Sequence, residues 1–354
     1  MGMSPTREGK RPELRLAQRG GFIEGLRLLS PLYGSVICSR NALYDCGLLR
    51  SHRAAVPVIS VGNLTTGGTG KTPFVVWVVE TLRSLGLNPG VLSRGYGRAD
   101  GAEKNDEGAL LSEGLAELPQ VQRADRVAGA SALVALGADV IVLDDGFQHR
   151  RLARDLDIAL IDSTRPWGLA AAAPDVAPLE ALLPRGLLRE SPKSLARADA
   201  IVLTRCDQSE LAAQEDIQRR IESCAPNVPV ARAVHSPVRV VTAEGEEEPG
   251  WLDGRAFCLL SGVGNPDSFE ATARALGAEV RAVHNFADHH DYKLEEVEGL
   301  CEEGAELLVT AKDAVKLRAL GVSCASLEVE IDIVAGEEHL RDLVVATLRG
   351  TSSA

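Results

Sequence analysis

After residue 55 the chain alternates between short, nearly unbroken apolar runs and longer stretches whose apolar residues recur three or four positions apart. The runs at 56–61, 90–93, 140–143, 158–161 and 201–204 predict strands buried on both faces, with helices at 73–85 and 125–136 between them. Strands of that kind joined by helices build a doubly wound parallel sheet. The pattern changes at 228–248, where two extended pieces flank Pro237 and the run from Glu244 to Gly250 reads as a polar turn. A second alternation follows, with strands predicted at 257–260, 279–283, 307–309 and 327–331. Its helices fall at 266–276, 294–303 and 311–320, with a last one reaching Arg349. The predicted organisation is an α/β protein with a first domain over 54–227, an interdomain connection over 228–250 and a second, smaller α/β domain over 251–354.

The first 53 residues are different. They hold nine Lys and Arg against four acids, a charge of +5, so the chain's net −12 leaves −17 for the rest. They also carry Leu26, Leu28, Leu29, Leu32, Tyr33, Val36, Leu43, Leu48 and Leu49. Residues 28–39 lack charge but include Pro31 and fall short of the about 20 residues that a membrane span needs. A basic, amphipathic leader lying on an anionic membrane surface is the expectation. The acidic balance of the remainder argues against nucleic acid as a partner. The seven cysteines are scattered with no C-x-x-C pair, which points to a reducing compartment rather than a disulfide frame or zinc site.

The strongest chemical signal follows the first strand. Thr65, Thr66, Gly67, Gly68, Thr69, Gly70, Lys71 and Thr72 lead into Pro73 and an apolar helix. Glycines let backbone amides converge on an anion, and a helix N-terminus adds about half a positive charge. This is a phosphate cradle of the P-loop NTPase kind, in which Lys71 would reach the terminal phosphates of a nucleoside triphosphate and Thr72 would ligate Mg²⁺. The strict P-loop spacing places Gly at 65, where this chain has Thr65, and its glycines fall at 67, 68 and 70.

Other clusters surround it. Asp144 and Asp145 end an apolar strand ahead of Gly146-Phe147-Gln148-His149, and one of the two acids is expected on Mg²⁺. Ser93-Arg94-Gly95-Tyr96-Gly97 follows the second strand and suits a phosphate or charged headgroup. Asp106 lies in an acidic loop where a carboxylate could accept a hydroxyl proton. Arg185, Arg189 and Glu190 group around a Pro-Gly turn. His289 and His290 sit between Asp288 and Asp291, with no third metal-ligand spacing evident. Thr204-Arg205-Cys206-Asp207 is a faint match to the guanine-selecting [NT]-K-x-D pattern, so a P-loop GTPase of switch or chaperone type is the alternative reading.

Taken in order, these motifs resemble the tetraacyldisaccharide 4′-kinases, the lipid A 4′-kinases of Gram-negative bacteria. The resemblance spans nearly the whole chain, from Leu32-Tyr33-Gly34 through the segment 56–73 to Thr310-Ala311-Lys312-Asp313-Ala314. It implies transfer of the ATP γ-phosphate to the 4′-hydroxyl of an acylated glucosamine disaccharide 1-phosphate, by a peripheral protein at the cytoplasmic face of the inner membrane. It implies Asp106 as the catalytic carboxylate, supported by His289, although Asn105 and Gly108 replace the family's flanking Gly and Pro. Thr72, Asp144, Asp145 and Glu190 would organise Mg²⁺, and Arg94, Tyr96, Gln148, His149 and Arg189 would meet the substrates.

Overall fold

The computed structural model describes residues 6–8, 22–95, 115, 118–169, 178–302 and 304–350. Its described residues fall into two compact units, one comprising 22–95, 115, 118–169, 178–234 and 331–350, the other 6–8, 235–302 and 304–330.

Among the described residues the first unit is built on seven parallel strands, beside which the end of the last strand lies. Its strands are β1 (Val58–Asn63), β2 (Pro89–Ser93), β3 (Gln120–Gln122), β4 (Val140–Asp144), β5 (Leu156–Asp162), β6 (Ala200–Thr204) and β7 (Val230–Val241). They lie in the order β7-β6-β5-β1-β4-β2-β3. Every residue of β1, β2, β4, β5 and β6 is buried, which is why these strands read as apolar runs rather than alternating ones. Helix α1 (Ser30–Asp45) precedes the sheet, and α2 (Lys71–Ser84), α3 (Arg126–Ala135) and α4 (Leu211–Cys224) connect its strands. Phe74, Val75, Val78 and Leu82 of α2 pack with Ile59, Val61, Val140 and Val142 of the sheet. The chain leaves this unit within β7 and returns to it in the last strand, which the helix Glu337–Gly350 follows.

Two elements here lie outside the predicted set. β3 is only three residues long. Helix α4 buries Gln214, Ile217 and Ile221 on one stripe and exposes most of its other residues.

The second unit has β8 (Glu246–Glu247), β9 (Ala256–Ser261), β10 (Glu279–Asn285), β11 (Glu306–Thr310) and β12 (Ala325–Ala335), with α5 (Pro266–Ala275) and α6 (Ala311–Ala319). Its parallel order is β10-β9-β11-β12, the strand Thr6–Glu8 pairs with β10, and β8 pairs antiparallel with the end of β7. The helix expected over 294–303 is one turn, Leu294–Val297, because Gly299 and Gly304 take left-handed φ of 78° and 87°. All seven cysteines are free thiols.

Helix α1 has an unusual distribution of side chains. Ser30 Oγ donates to the Leu182 carbonyl (2.8 Å), Tyr33 Oη to the Arg189 carbonyl (3.0 Å) and Asn41 Nδ2 to Glu190 (3.1 Å). A Cβ on Gly34 would come within 2.8 Å of Leu182 Cδ1. Positions 30, 33, 34 and 41 thus form one helical face, and that face is anchored to the unit. Leu28, ahead of the helix, and Leu32, Val36 and Leu43 within it are exposed instead. Among the described residues no helix is long and apolar enough to cross a membrane.

Candidate active site

β1 lies between β4 and β5, and Val61 is in register with Asp144. The loops that leave β1 and β4 therefore emerge side by side at the carboxyl edge of the sheet, where ligands of open α/β sheets collect. Backbone meets backbone there, since a Cβ on Gly62 would fall 2.5 Å from Phe147 N. On the other side, a Cβ on Gly146 would fall 2.4 Å from Ser60 Oγ.

The loop after β1 is tied down where it leaves the strand. The Thr66 amide donates to the Leu187 carbonyl (2.8 Å), and the Arg189 amide donates to the Leu64 carbonyl (2.8 Å). Thr65 forms an isolated bridge with Leu188. Gly67 has φ 99° and Gly70, the residue capping α2, has φ 81°. A side chain at either would be strained, so the glycines are conformational requirements of the loop. The first amides of α2 have no acceptor within the helix.

Lys71 opens α2. Its Nζ lies 3.3 Å from Asn63 Oδ1 and 3.6 Å from Asp145 Oδ1. Asp145 has φ 55°, and both its carboxylate oxygens accept from Arg189 Nη1 at 2.8 Å. Burial works to raise the Asp145 pKa, but Lys71 and Arg189, with Arg126 behind them, outweigh it and hold the group at about 2. Asp145 is therefore an anion at any physiological pH. Asp144 is buried at the end of β4.

Gln148 donates to the Asn63 carbonyl (2.8 Å) and accepts from Arg189 Nη1 (3.1 Å), which links the two loops. His149 is half-buried, and its Nε2 has no hydrogen-bond partner among the described residues. Burial, then the charges of Arg126, Arg154 and Arg151, lower its pKa to about 4, so the ring is neutral. Glu190 is buried, and Arg40 (3.3 Å), Asn41 (3.1 Å) and Arg197 (2.9 Å) surround its carboxylate. Arg94 is exposed at the end of β2. Tyr96 and Asp106 lie outside the described residues.

In the second unit His289 has φ 62°, and its amide donates to the Gly262 carbonyl (3.2 Å). Its Nε2 lies 3.4 Å from Lys312 Nζ and 3.9 Å from Asp288 Oδ1. His290 is turned away from this group, stacked on Phe286 and 3.1 Å from Glu296. Asp313 is buried and accepts from the Gly262 amide, Tyr292 Oη and Thr310 Oγ1. Among the described residues no group of three or more His, Cys, Asp or Glu is placed to hold a metal ion.

Two residues near the site carry no motif in the sequence, and a third takes a role other than its motif suggests. Arg126 is buried at the first position of α3 with its charge near Asp145, and Asp125 caps that helix by accepting from the Val127 and Ala128 amides. The third is Arg205, the residue aligned with the base-selecting Lys of GTPases. It is buried, ion-paired with Asp162 and bonded to the Gly68 carbonyl (3.0 Å). It therefore faces the phosphate loop, and the GTPase reading loses its cation.

The family model LpxK, tetraacyldisaccharide-1-P 4′-kinase, matches residues 24–349. The tetraacyldisaccharide 4′-kinase of Anaeromyxobacter sp. (strain Fw109-5) is 39% identical, with 91% of each chain covered. That of Syntrophus aciditrophicus (strain SB) is 36% identical over 91% of this chain and 93% of the relative. Among solved structures, LpxK from Aquifex aeolicus in complex with ATP is 31% identical with a TM-score of 0.70, covering 93% of this chain and 100% of that one. Together with the glycine loop, Lys71 and the paired acids after β4, these likenesses establish that the chain belongs to the tetraacyldisaccharide-1-P 4′-kinase family.

Proposed function

We propose that the chain is an ATP-dependent kinase that phosphorylates the 4′-hydroxyl of a tetraacyldisaccharide 1-phosphate at the cytoplasmic face of the bacterial inner membrane. The observation that carries this reading is the glycine loop opening α2, with Lys71 set between Asn63 and the anionic Asp145. Amides of 67–72 and Lys71 hold the β- and γ-phosphates. Thr72 with Asp144 or Asp145 offers the hard oxygen ligands that suit Mg²⁺, which completes its shell with water and phosphate. When bound, ATP–Mg²⁺ supplies the transferable phosphoryl group and neutralises its developing charge. Lys71 and Arg189 together steady Asp145 as an anion. Asp106 accepts the hydroxyl proton, with His289 supporting it. His149, neutral, acts as a hydrogen-bonding ring rather than a cation.

The exposed Leu28, Leu32, Val36 and Leu43 support a peripheral membrane role for α1. That placement suits an acceptor whose acyl chains stay in the bilayer.

The test is radiolabelled ATP with acylated disaccharide 1-phosphate, followed by identification of the phosphorylated position. Label at the 4′-position supports the reading, and no transfer with retained ATP binding removes it. Asp106→Ala should lose about 10²–10⁴-fold in turnover while still binding ATP.

A further inference from the structure

The end of β6 carries a device that neither the nucleotide motif nor the acidic pair accounts for. Arg205 Nη1 donates to the Gly68 carbonyl at 3.0 Å, and Thr204 Oγ1 donates to the Thr69 carbonyl at 2.9 Å. Two consecutive carbonyls of the phosphate loop are thus bonded by two consecutive residues. In a planar trans peptide the carbonyl of one residue and the amide of the next point in opposite directions. Fixing the Gly68 carbonyl on Arg205 therefore aims the Thr69 amide away from Arg205. Fixing the Thr69 carbonyl on Thr204 aims the Gly70 amide away from Thr204. Successive amides turned to one side form an anion-binding concavity.

The holders are themselves held. Arg205 is buried in left-handed backbone with φ 57°, a conformation that a non-glycine residue keeps only when its surroundings enforce it. It pairs with Asp162, whose Oδ1 also accepts from the Thr164 amide (3.0 Å) and hydroxyl (2.7 Å). Ser163 Oγ donates to the Arg205 carbonyl (2.8 Å), and the Ser163 amide donates to the Thr204 carbonyl (3.0 Å). Thr204 and Arg205 are 0% and 7% exposed.

We propose that Thr204 and Arg205 are positioning residues for the triphosphate, clamping the carbonyls of Gly68 and Thr69 so that the amides of Thr69 and Gly70 stay aimed at the anion. This rests on the kinase reading only in taking ATP as the nucleotide. The clamp acts on the phosphate end, so it does not set base preference.

The experiment measures ATP–Mg²⁺ binding by calorimetry on the full chain, beside steady-state kinetics. Thr204→Val removes one hydroxyl at nearly constant volume and should raise the ATP Kd about two- to tenfold, with Thr204→Ser restoring it. Arg205→Met removes a charged donor and should raise it about tenfold or more. The KM for ATP follows, the KM for the disaccharide stays, and the ratio of ATP to GTP affinity stays. Thr204→Val with a wild-type melting temperature and a wild-type ATP Kd overturns the proposal. So does an equal rise in both KM values, or a changed ATP-to-GTP ratio. Should the wild type bind ATP without phosphorylating the disaccharide, the kinase reading falls while the binding comparison still decides the clamp.

Discussion

Replacing Leu32 and Val36 by Ser should detach the chain from membranes without weakening its fold. The two side chains are 64% and 66% exposed on the face of α1 opposite its anchors. Complete burial of such a side chain is worth about 1.5–3 kcal/mol. With roughly two-thirds of each available to a bilayer, each Ser removes about 1–2 kcal/mol, and the pair about 2–4 kcal/mol. At about 1.4 kcal/mol per decade this is about a 30- to 1,000-fold loss in partition onto vesicles. Thermal unfolding in the absence of lipid should move by no more than about 1 kcal/mol, about 0.5 kcal/mol for each of the two exposed positions. The assay is co-sedimentation with vesicles containing an anionic phospholipid, run at low and high salt. The wild type should bind more weakly at high salt, since the leader is basic. Equal sedimentation of wild type and double variant would refute the membrane role of α1.

Three further outcomes follow from the site. Lys71→Ala should lower turnover by at least about 10²-fold, because charge stabilisation dominates phosphoryl transfer, and single-turnover kinetics at saturating ATP checks it. Glu190→Ala leaves Arg40 and Arg197 unpaired, and since those partners are 35% and 18% exposed the cost falls near the low end for a broken buried pair, about 3 kcal/mol in urea unfolding. His149 has a folded pKa of about 4, below its ordinary 6.5, so the unfolded chain binds the extra proton between those values. Its contribution to stability is full above about pH 6.5 and is lost as pH falls toward 4, so His149→Gln should lose less stability than wild type between pH 7 and pH 5.

The phosphate loop and its sheet were legible because their causes are local. Strands buried on both faces are apolar throughout, and the Gly67 and Gly70 conformations demand glycine. Helix α4 was equally legible in principle, since Gln214, Ile217 and Ile221 recur at three- and four-residue spacing, but its polar composition outweighed that stripe. The role of Arg205 was not legible. A buried arginine bonded to a loop more than a hundred residues away has the same letter as an exposed one, and its neighbours Thr204 and Asp207 suggested base selection instead. The orientation of α1 was hidden too. The apolar residues of the leader were plain, but only the bonds from Ser30, Tyr33 and Asn41 reveal which side is anchored.

The contact of Gly62 with Phe147, and of Gly146 with Ser60, has a consequence for tolerance to change. The spacing between the lysine-bearing loop and the acid-bearing one is set where the Gly62 main chain abuts that of Phe147 and the Gly146 main chain rests against the Ser60 hydroxyl. Repacking the interior beneath the sheet can alter volume and stability while leaving that separation as it was. A single methyl group at either glycine, by contrast, would pry the two loops apart at the point where their alignment matters most.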